Sequence, residues 1–322
     1  MTIPREGAHR TEIRCGAIDL GGTKIEARLF GAEMETLETQ RMPTPVGDFD
    51  SFMAGLAHQT GWLLERAGNP DLPIGIGIPG LMDPETGVCF ASNIPVSGRN
   101  VRDALRQRLG RNFTFGNDCM SFAYSEAHGG AGEGFQAVVG LILGTGLAAG
   151  FCVDGRVPPR HNGMAVEIGH VGMPAHALSS AGLPVWPCGC GKSGCIERYV
   201  SGSGLAAIGR HVLGRPLEAA EIVESSAKGD PDATRVLDIW TGLAAECLLV
   251  LQLVLDPDCI VLGGGLSKMD GILDRLTPAF RSRLLGHTRL PALVLARHGD
   301  SSGARGMALL ALDADGKETP AG

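Results

Sequence analysis

Residues 15–30 read CGAIDLGGTKIEARLF. The run CGAIDL passes into GGTK, and a second run, IEARLF, follows. Apolar stretches of this length on either side of a short glycine-bearing segment read as strand, tight turn, strand. Glycine lets a main chain come close to a ligand, so the N–H groups of Gly21, Gly22, Thr23 and Lys24 can meet a phosphate. An ordinary hairpin turn fits the same residues. Asp19, at the end of the first strand, adds a carboxylate placed to hold Mg²⁺ through water. Neither a Walker loop nor GxGxxG opening a helix occurs here.

The pattern of apolar strand then glycine turn recurs twice further on. AVVGLILGTG (137–146) ends in Gly144, Thr145 and Gly146, and CIVLGGGLS (259–267) turns through Gly263, Gly264 and Gly265. Each loop alone is a weak signal. Together they point to a nucleoside triphosphate held by three converging loops.

The rest of the chain alternates strand and helix patterns, which implies an α/β layer architecture. Helices are expected at 49–68, 101–110, 121–130, 204–213 and 232–255 from apolar spacing and closing glycines. PIGIGIPG (73–80) and NFTFGND (112–118) read as strands. Residues 1–12 are polar, and a second α/β unit is expected to start near 119. The Gly-, Pro- and Cys-rich stretch 152–196 is expected to be loop.

Composition sets bounds on this outline. The chain has 322 residues, enough for two domains, and 44% of them are apolar, enough for packed cores. Lys and Arg number 28 against 35 Asp and Glu, a net charge of −7 that disfavours coating nucleic acid. No bilayer-spanning apolar run and no signal-peptide stretch is expected, so the chain is placed in the cytoplasm with no membrane partner. Thiols stay reduced there, which argues against disulfides among the nine cysteines. The scattered Cys15, Cys89, Cys119, Cys152, Cys247 and Cys259 are expected to be small buried hydrophobes.

Two kinds of chemistry-bearing residue remain. Asn117-Asp118 ends a strand where the domain changes. Asp118 there is either the N-cap of the next helix or a general base toward a hydroxyl. Glu167 and Glu197 flank the cysteine-rich stretch and are either sugar-hydroxyl acceptors or surface carboxylates. In CGCGKSGCIE (188–197), Cys188, Cys190 and Cys195 offer three thiols, and His170 in EIGH is the nearest fourth ligand. Four such ligands make a closed structural zinc site, which would pin the loop carrying Glu167 and Glu197; free thiols are the other reading.

These stretches resemble the ROK family of sugar kinases. The matching segments are IDLGGTKIEA (18–27), GIGIPG (75–80), ASNIPVSG (91–98), ND (117–118), LILGTG (141–146), EIGH (167–170), CGCGKSGCIE (188–197), DPDCIVLGGGLS (256–267) and ARHGDSSGARGMALL (296–310). The resemblance implies an actin-like ATPase (ribonuclease H-like) α/β fold with small and large domains around a cleft. The small domain would take 13–118, with a C-terminal helix at 303–313 packing back on it, and the large domain 119–302. It implies ATP phosphates at Gly21–Lys24 and Gly144–Gly146, with Gly263–Gly265 beside the adenosine. The sugar would meet Asn93, Asn117, Asp118, Glu167, His170 and Glu197. Asp118 would take the proton from the sugar 6-hydroxyl, and His170 would bind zinc through one ring nitrogen. MPTPVGDFDSF, SNIPVSGR and GDSSGARG imply an amino sugar, N-acetyl-D-glucosamine, and the family implies a homodimer.

Gly116, Cys119, Met120 and Val166 depart from the family pattern, as do the alanines at 148 and 149. They leave open another hexose (glucose, fructose or N-acetylmannosamine) or a non-catalytic sugar-binding regulator. A sugar-responsive repressor is disfavoured, since 18 residues before Asp19 are too few for a helix-turn-helix.

Overall fold

A computed structural model describes residues 12–316, so all but Glu12 of the polar N-terminal segment lies outside the described residues. The chain divides into two compact units. One comprises the described residues up to Ser121 together with those from Gly303 onward, and the other is Phe122–Ser302.

In the first unit β1 (Cys15–Leu20) and β2 (Lys24–Phe30) form an antiparallel hairpin with Leu20 opposite Ile25. β3 (Thr36–Pro43) pairs with the outer side of β2. No strand was expected at β3, because an edge strand half open to water needs no apolar run. α1 (Phe49–Ala67) starts where the Asp48 side chain accepts the Ser51 N–H. β4 (Ile74–Ile78) is buried throughout and runs parallel to β1. Three short strands, β5 (Leu81–Met82), β6 (Val88–Phe90) and β7 (Arg99–Asn100), form a small separate sheet. α2 (Val101–Leu109) precedes β8 (Thr114–Asn117), which pairs parallel with β4 and passes directly into α3 (Asp118–Ala127). The sheet order is β3-β2-β1-β4-β8, and Ile18, Ile25, Phe52, Leu56 and Ile76 are buried in its core.

In the second unit β9 (Ala137–Leu143) turns through 144–146 into β10 (Leu147–Val153). No strand was expected at LAAG after the turn, and β10 corrects that. A full antiparallel register from Leu147–Leu143 to Val153–Ala137 holds these small residues as strand. The stretch 152–196 is likewise not all loop, since it contains α4 (Ala175–Ala181). Then come α5 (Glu197–Val200), α6 (Gly202–Leu213), α7 (Ala219–Ala227) and α8 (Pro231–Leu255). β11 (Cys259–Gly263) lies parallel to β9, α9 (Ile272–Arg281) follows, and β12 (Ala292–Leu295) lies parallel to β11. The order is β10-β9-β11-β12. α10 (Ser302–Ala314) closes the described chain.

The two sheets share a plan. Strands β2-β1-β4-β8 and β10-β9-β11-β12 each set a glycine-turned antiparallel hairpin beside two parallel strands. Two of the sequence's three strand-to-glycine transitions are thus the hairpin turns of equivalent sheets.

α8 is long and apolar enough, by length and composition, to cross a bilayer, contrary to the expectation that no run would reach that length. Two thirds of its most apolar window (67%) is buried inside the protein, where Trp240, Ala245 and Leu248 form core. Gly116, a departure from the family pattern, has a packing reason: a Cβ there would lie 2.9 Å from the Met307 sulfur of α10.

Candidate active site and thiol cluster

At the head of α3, two adjacent side chains take different tasks. The Asn117 side-chain oxygen accepts the N–H groups of Cys119 (2.8 Å) and Met120 (3.1 Å), so Asn117 is the N-cap. Its amide nitrogen donates to the Gly80 carbonyl at 2.9 Å. Asp118 is therefore relieved of capping, contrary to one of its two sequence readings. Its Oδ1 accepts the Cys119 N–H (2.9 Å) and the Cys119 S–H (3.4 Å). Burial raises the Asp118 carboxyl above its ordinary value, and the Cys119 donors oppose that rise. A half-buried carboxyl with a raised pKa is a stronger base than an ordinary carboxylate.

In the same unit, the Gly21 N–H closes the β1–β2 turn on the Lys24 carbonyl at 2.9 Å. Thr44 holds the turn through its own N–H to the Thr23 carbonyl (3.1 Å) and its hydroxyl to the Gly21 carbonyl (2.5 Å). Asn93 lies against this turn, and a Cβ on Gly22 would meet Asn93 at 3.0 Å. Glycine at 22 is what permits that approach. The Asp19 carboxyl is raised by burial, then by the neighbouring charges of Asp118 and Glu26. Glu26 itself is buried, and burial works to raise it. Lys24, Arg28 and Arg41 all bond its carboxylate and hold it down to about 2.

In the second unit the Gly144–Gly146 turn is stapled to the start of α6. The Gly202 N–H donates to the Gly144 carbonyl (2.8 Å) and the Ser203 hydroxyl to the Thr145 carbonyl (3.0 Å). Gly264 adopts φ +83° beside it, where a Cβ would sit 2.6 Å from the Leu143 carbonyl. Gly144, Thr145 and Gly265 share one cavity of about 980 Å³, walled further by α6, α7 and Lys268. Two of the three glycine loops thus meet at one cavity, while Gly21–Lys24 belongs to the other unit.

Glu197 opens α5 and accepts the Leu147 N–H at 3.0 Å, which ties it to the same turn. Glu167 is half-buried just before a short 3-10 turn, Ile168–His170. Val166 exchanges backbone hydrogen bonds with Ala149 of β10 and packs against the unit's core.

The thiols lie on a small hairpin, with Pro187 bridged to Ser193 and the Cys188 N–H donating to the Lys192 carbonyl at 2.8 Å. Gly172 bridges to Cys195, which brings the EIGH segment alongside. The ligand atoms of His170, Cys188, Cys190 and Cys195 all lie within 4.8 Å of one another. Cys190 and Cys195 sulfurs are 3.6 Å apart, and the Cys188 sulfur is 3.9 Å from His170 Nδ1. A tetrahedral zinc with Zn–S near 2.3 Å sets its ligands about 3.8 Å apart, so the donor set and spacing fit that ion. Burial, then the thiols of Cys190 and Cys188, push Cys195 up to about 12. Thiols this crowded need a cation to ionise together.

Three functional features escaped the sequence. Cys119 read as filler but donates to Asp118. Ser201 and Ser203 carried no motif signal, yet Ser201 caps α6 and Ser203 holds the GTG turn. Glu126, fully buried, accepts from the N–H groups of Ala131, Arg297 and His298 and from the Ser302 hydroxyl.

The doubled sheet plan, with glycine-turned hairpins, defines the actin-like ATPase fold. Within that class the chain belongs to the ROK family, whose pattern it matches over residues 15–314. It is 40% identical over 300 residues to an N-acetyl-D-glucosamine kinase of Pectobacterium atrosepticum, covering 91% of this chain and 97% of that protein. It is 38% identical over 294 residues to an N-acetylgalactosamine kinase of Shewanella sp., covering 91% and 95%. Among solved structures, a ROK hexokinase from Thermus thermophilus superposes with a TM-score of 0.81 at 32% identity, covering 94% and 99%.

Proposed function

We propose that this chain is an ATP-dependent kinase that transfers a phosphoryl group to the 6-hydroxyl of N-acetyl-D-glucosamine. The observation that carries the reading is its near full-length likeness, at 40% identity, to a kinase named for that sugar. The retained Asp118, freed from capping by Asn117, supports it.

In this reading Asp118 is the general base. It takes the 6-hydroxyl proton as the oxygen attacks the γ-phosphate. Placement and charge neutralisation supply most of the rate in such transfers, and a positioned base adds roughly 10²–10⁴-fold. Gly21, Gly22, Thr23 and Lys24 bind phosphate, as do Gly144, Thr145 and Gly146. Gly263, Gly264 and Gly265 serve the adenosine. Mg²⁺ on the triphosphate neutralises charge when bound, and Asp19 is the residue to hold it through water. Asn93, Asn117, Glu167, His170 and Glu197 contact the sugar. His170, Cys188, Cys190 and Cys195 hold a structural zinc, which fixes the histidine ring for the sugar.

Residues 13–118 with 303–313 form the small domain and 119–302 the large one. The protein works as a homodimer in the cytoplasm, where ATP is at hand and thiolates stay reduced, without nucleic-acid or membrane partners.

N-acetyl-D-galactosamine is the second reading, favoured by the 38% identity to the Shewanella kinase. The two sugars differ in one hydroxyl configuration, and a site that hydrogen-bonds that hydroxyl can discriminate strongly. The test is an ADP-release assay across both amino sugars, N-acetylmannosamine, glucose and fructose, with zinc measured on the same sample. The highest kcat/KM on N-acetyl-D-glucosamine is expected. A higher value on another sugar replaces the substrate, and no ADP release with any sugar removes the kinase reading.

A further inference from the structure

We propose that Cys119 is a positioning residue for the phosphoryl transfer: its thiol pins one oxygen of the Asp118 carboxylate and so aims the other at the sugar hydroxyl. The inference rests on the reading of Asp118 as the base.

The geometry begins with Asn117. Because the Asn117 side chain accepts the Cys119 and Met120 N–H groups, the Asp118 carboxylate takes only a share of the Cys119 N–H. Oδ1 accepts from Cys119 through its N–H at 2.9 Å and its sulfur at 3.4 Å, and the Asp118 N–H also bonds the carboxylate. The backbone bond alone leaves the carboxylate plane free to swing about that contact. A second donor on the same oxygen restricts the swing and leaves Oδ2 to receive the proton. The 3.4 Å separation is within the range of a sulfur donor, which is longer and weaker than a hydroxyl. Cys119 is only 6% exposed, so water competes little for this bond.

The thiol also favours the ionised base. A hydrogen bond to the charged form of a carboxyl lowers its pKa, and at Asp118 the Cys119 side chain is the first influence that opposes burial. Asp19 on β1 is a charged neighbour, and its own carboxyl is raised partly by Asp118. α10 packs on this end of α3, with Gly303 beside the Asp118 carbonyl and Gly306 against Ser121. A base that must be deprotonated and aimed gains on both counts from the one thiol.

The test compares Cys119→Ala, which removes the donor, with Cys119→Ser, which keeps a donor at the same place. Steady-state kinetics on N-acetyl-D-glucosamine are run across pH, with thermal unfolding of each variant. Cys119→Ala is expected to lower kcat roughly three- to tenfold at mildly acidic pH, with sugar KM changed less than about twofold. Its acid limb in kcat/KM is expected to move up by roughly half to one pH unit. Cys119→Ser is expected to restore kcat and the limb to near wild type. Wild-type kinetics in Cys119→Ala, a limb that stays in place, or equal impairment in both variants each overturn the proposal. Asp118→Asn is run alongside. If that variant turns over sugar normally, the base reading itself fails. If it is inactive while Cys119→Ala is unchanged, only the role of Cys119 falls.

Discussion

The Asn117 side chain caps α3 through the Cys119 and Met120 N–H groups, while its neighbour Asp118 shares the Cys119 N–H and alone accepts the Cys119 S–H. This division predicts different failures for the two residues. Asn117→Ala is expected to cost about 1 kcal/mol of stability, the usual value of a lost cap, and to lower kcat because the head of the helix frays. Asp118→Asn is expected to keep stability and metal content while kcat drops by roughly 10²–10⁴-fold. Burial holds the Asp118 carboxyl above 3.8, and the base works only when deprotonated. Wild-type kcat/KM should therefore fall as pH drops through that raised value. Denaturant unfolding and a pH–rate profile check all three expectations.

Glu26 shows a carboxyl shifted the opposite way. Its carboxylate is shared by Lys24, Arg28 and Arg41 behind the β1–β2 turn, and it lies at about 2 against an ordinary 4.5. A depressed folded pKa contributes stability that is present above the unfolded value and lost as pH falls toward the folded one. Glu26→Gln removes the shared negative charge and is expected to destabilise by about 3 kcal/mol at neutral pH. The gap from wild type should narrow as pH falls from about 4.5 toward 2. Urea titrations of both proteins at several pH values measure it, and a gap that does not depend on pH contradicts the assignment.

How much of this was legible varies with the range of the interaction. The hairpin at 15–30 and the thiol loop were readable because their signals are local: glycine between apolar runs, and thiols at ligand spacing. β10 was not, because LAAGFCV is held as a strand by β9 and not by its own propensity. Asn117 and Asp118 are equally good capping residues side by side, and only the backbone at the end of β8 decides between them. Ser203 acts on Thr145, 58 residues away, so no window of sequence contains the pair.

Glu126 is the extreme case, since three of its partners lie more than 170 residues later in the chain. Its two oxygens accept from Ala131 (3.0 Å), Arg297 (3.0 Å), His298 (3.2 Å) and the Ser302 hydroxyl (2.8 Å). Every contact is a donor, so an amide at this position must turn its NH₂ toward other N–H or O–H groups. Glu126→Gln is therefore expected to be destabilised by about 3 kcal/mol despite its near-identical shape. Ser302→Ala, which removes one donor, is expected to cost roughly half as much. Chemical denaturation of the pair ranks them, and a Gln variant as stable as wild type would remove Glu126 from this anchoring role.

The thiol cluster makes the last prediction, on metal removal. The hairpin 187–193 is already held by backbone bonds, and Tyr199 ties it down by donating to the Pro184 carbonyl and accepting the Trp186 N–H. Loss of the ion should not unfold the second unit, whose core lies on α8 and the β9–β11 strands. It should release His170 and, with it, the segment from Glu167. Chelation at neutral pH, or Cys188→Ser, is therefore expected to raise the KM for sugar severalfold while the KM for ATP changes little. None of the thiols lines the cavity beside Gly144 and Gly265, which is why the nucleotide should be spared. Wild-type protein is expected to carry one zinc per chain by elemental analysis. An equal rise in both KM values, or full sugar affinity in metal-free protein, would show that the ion does not organise the sugar side.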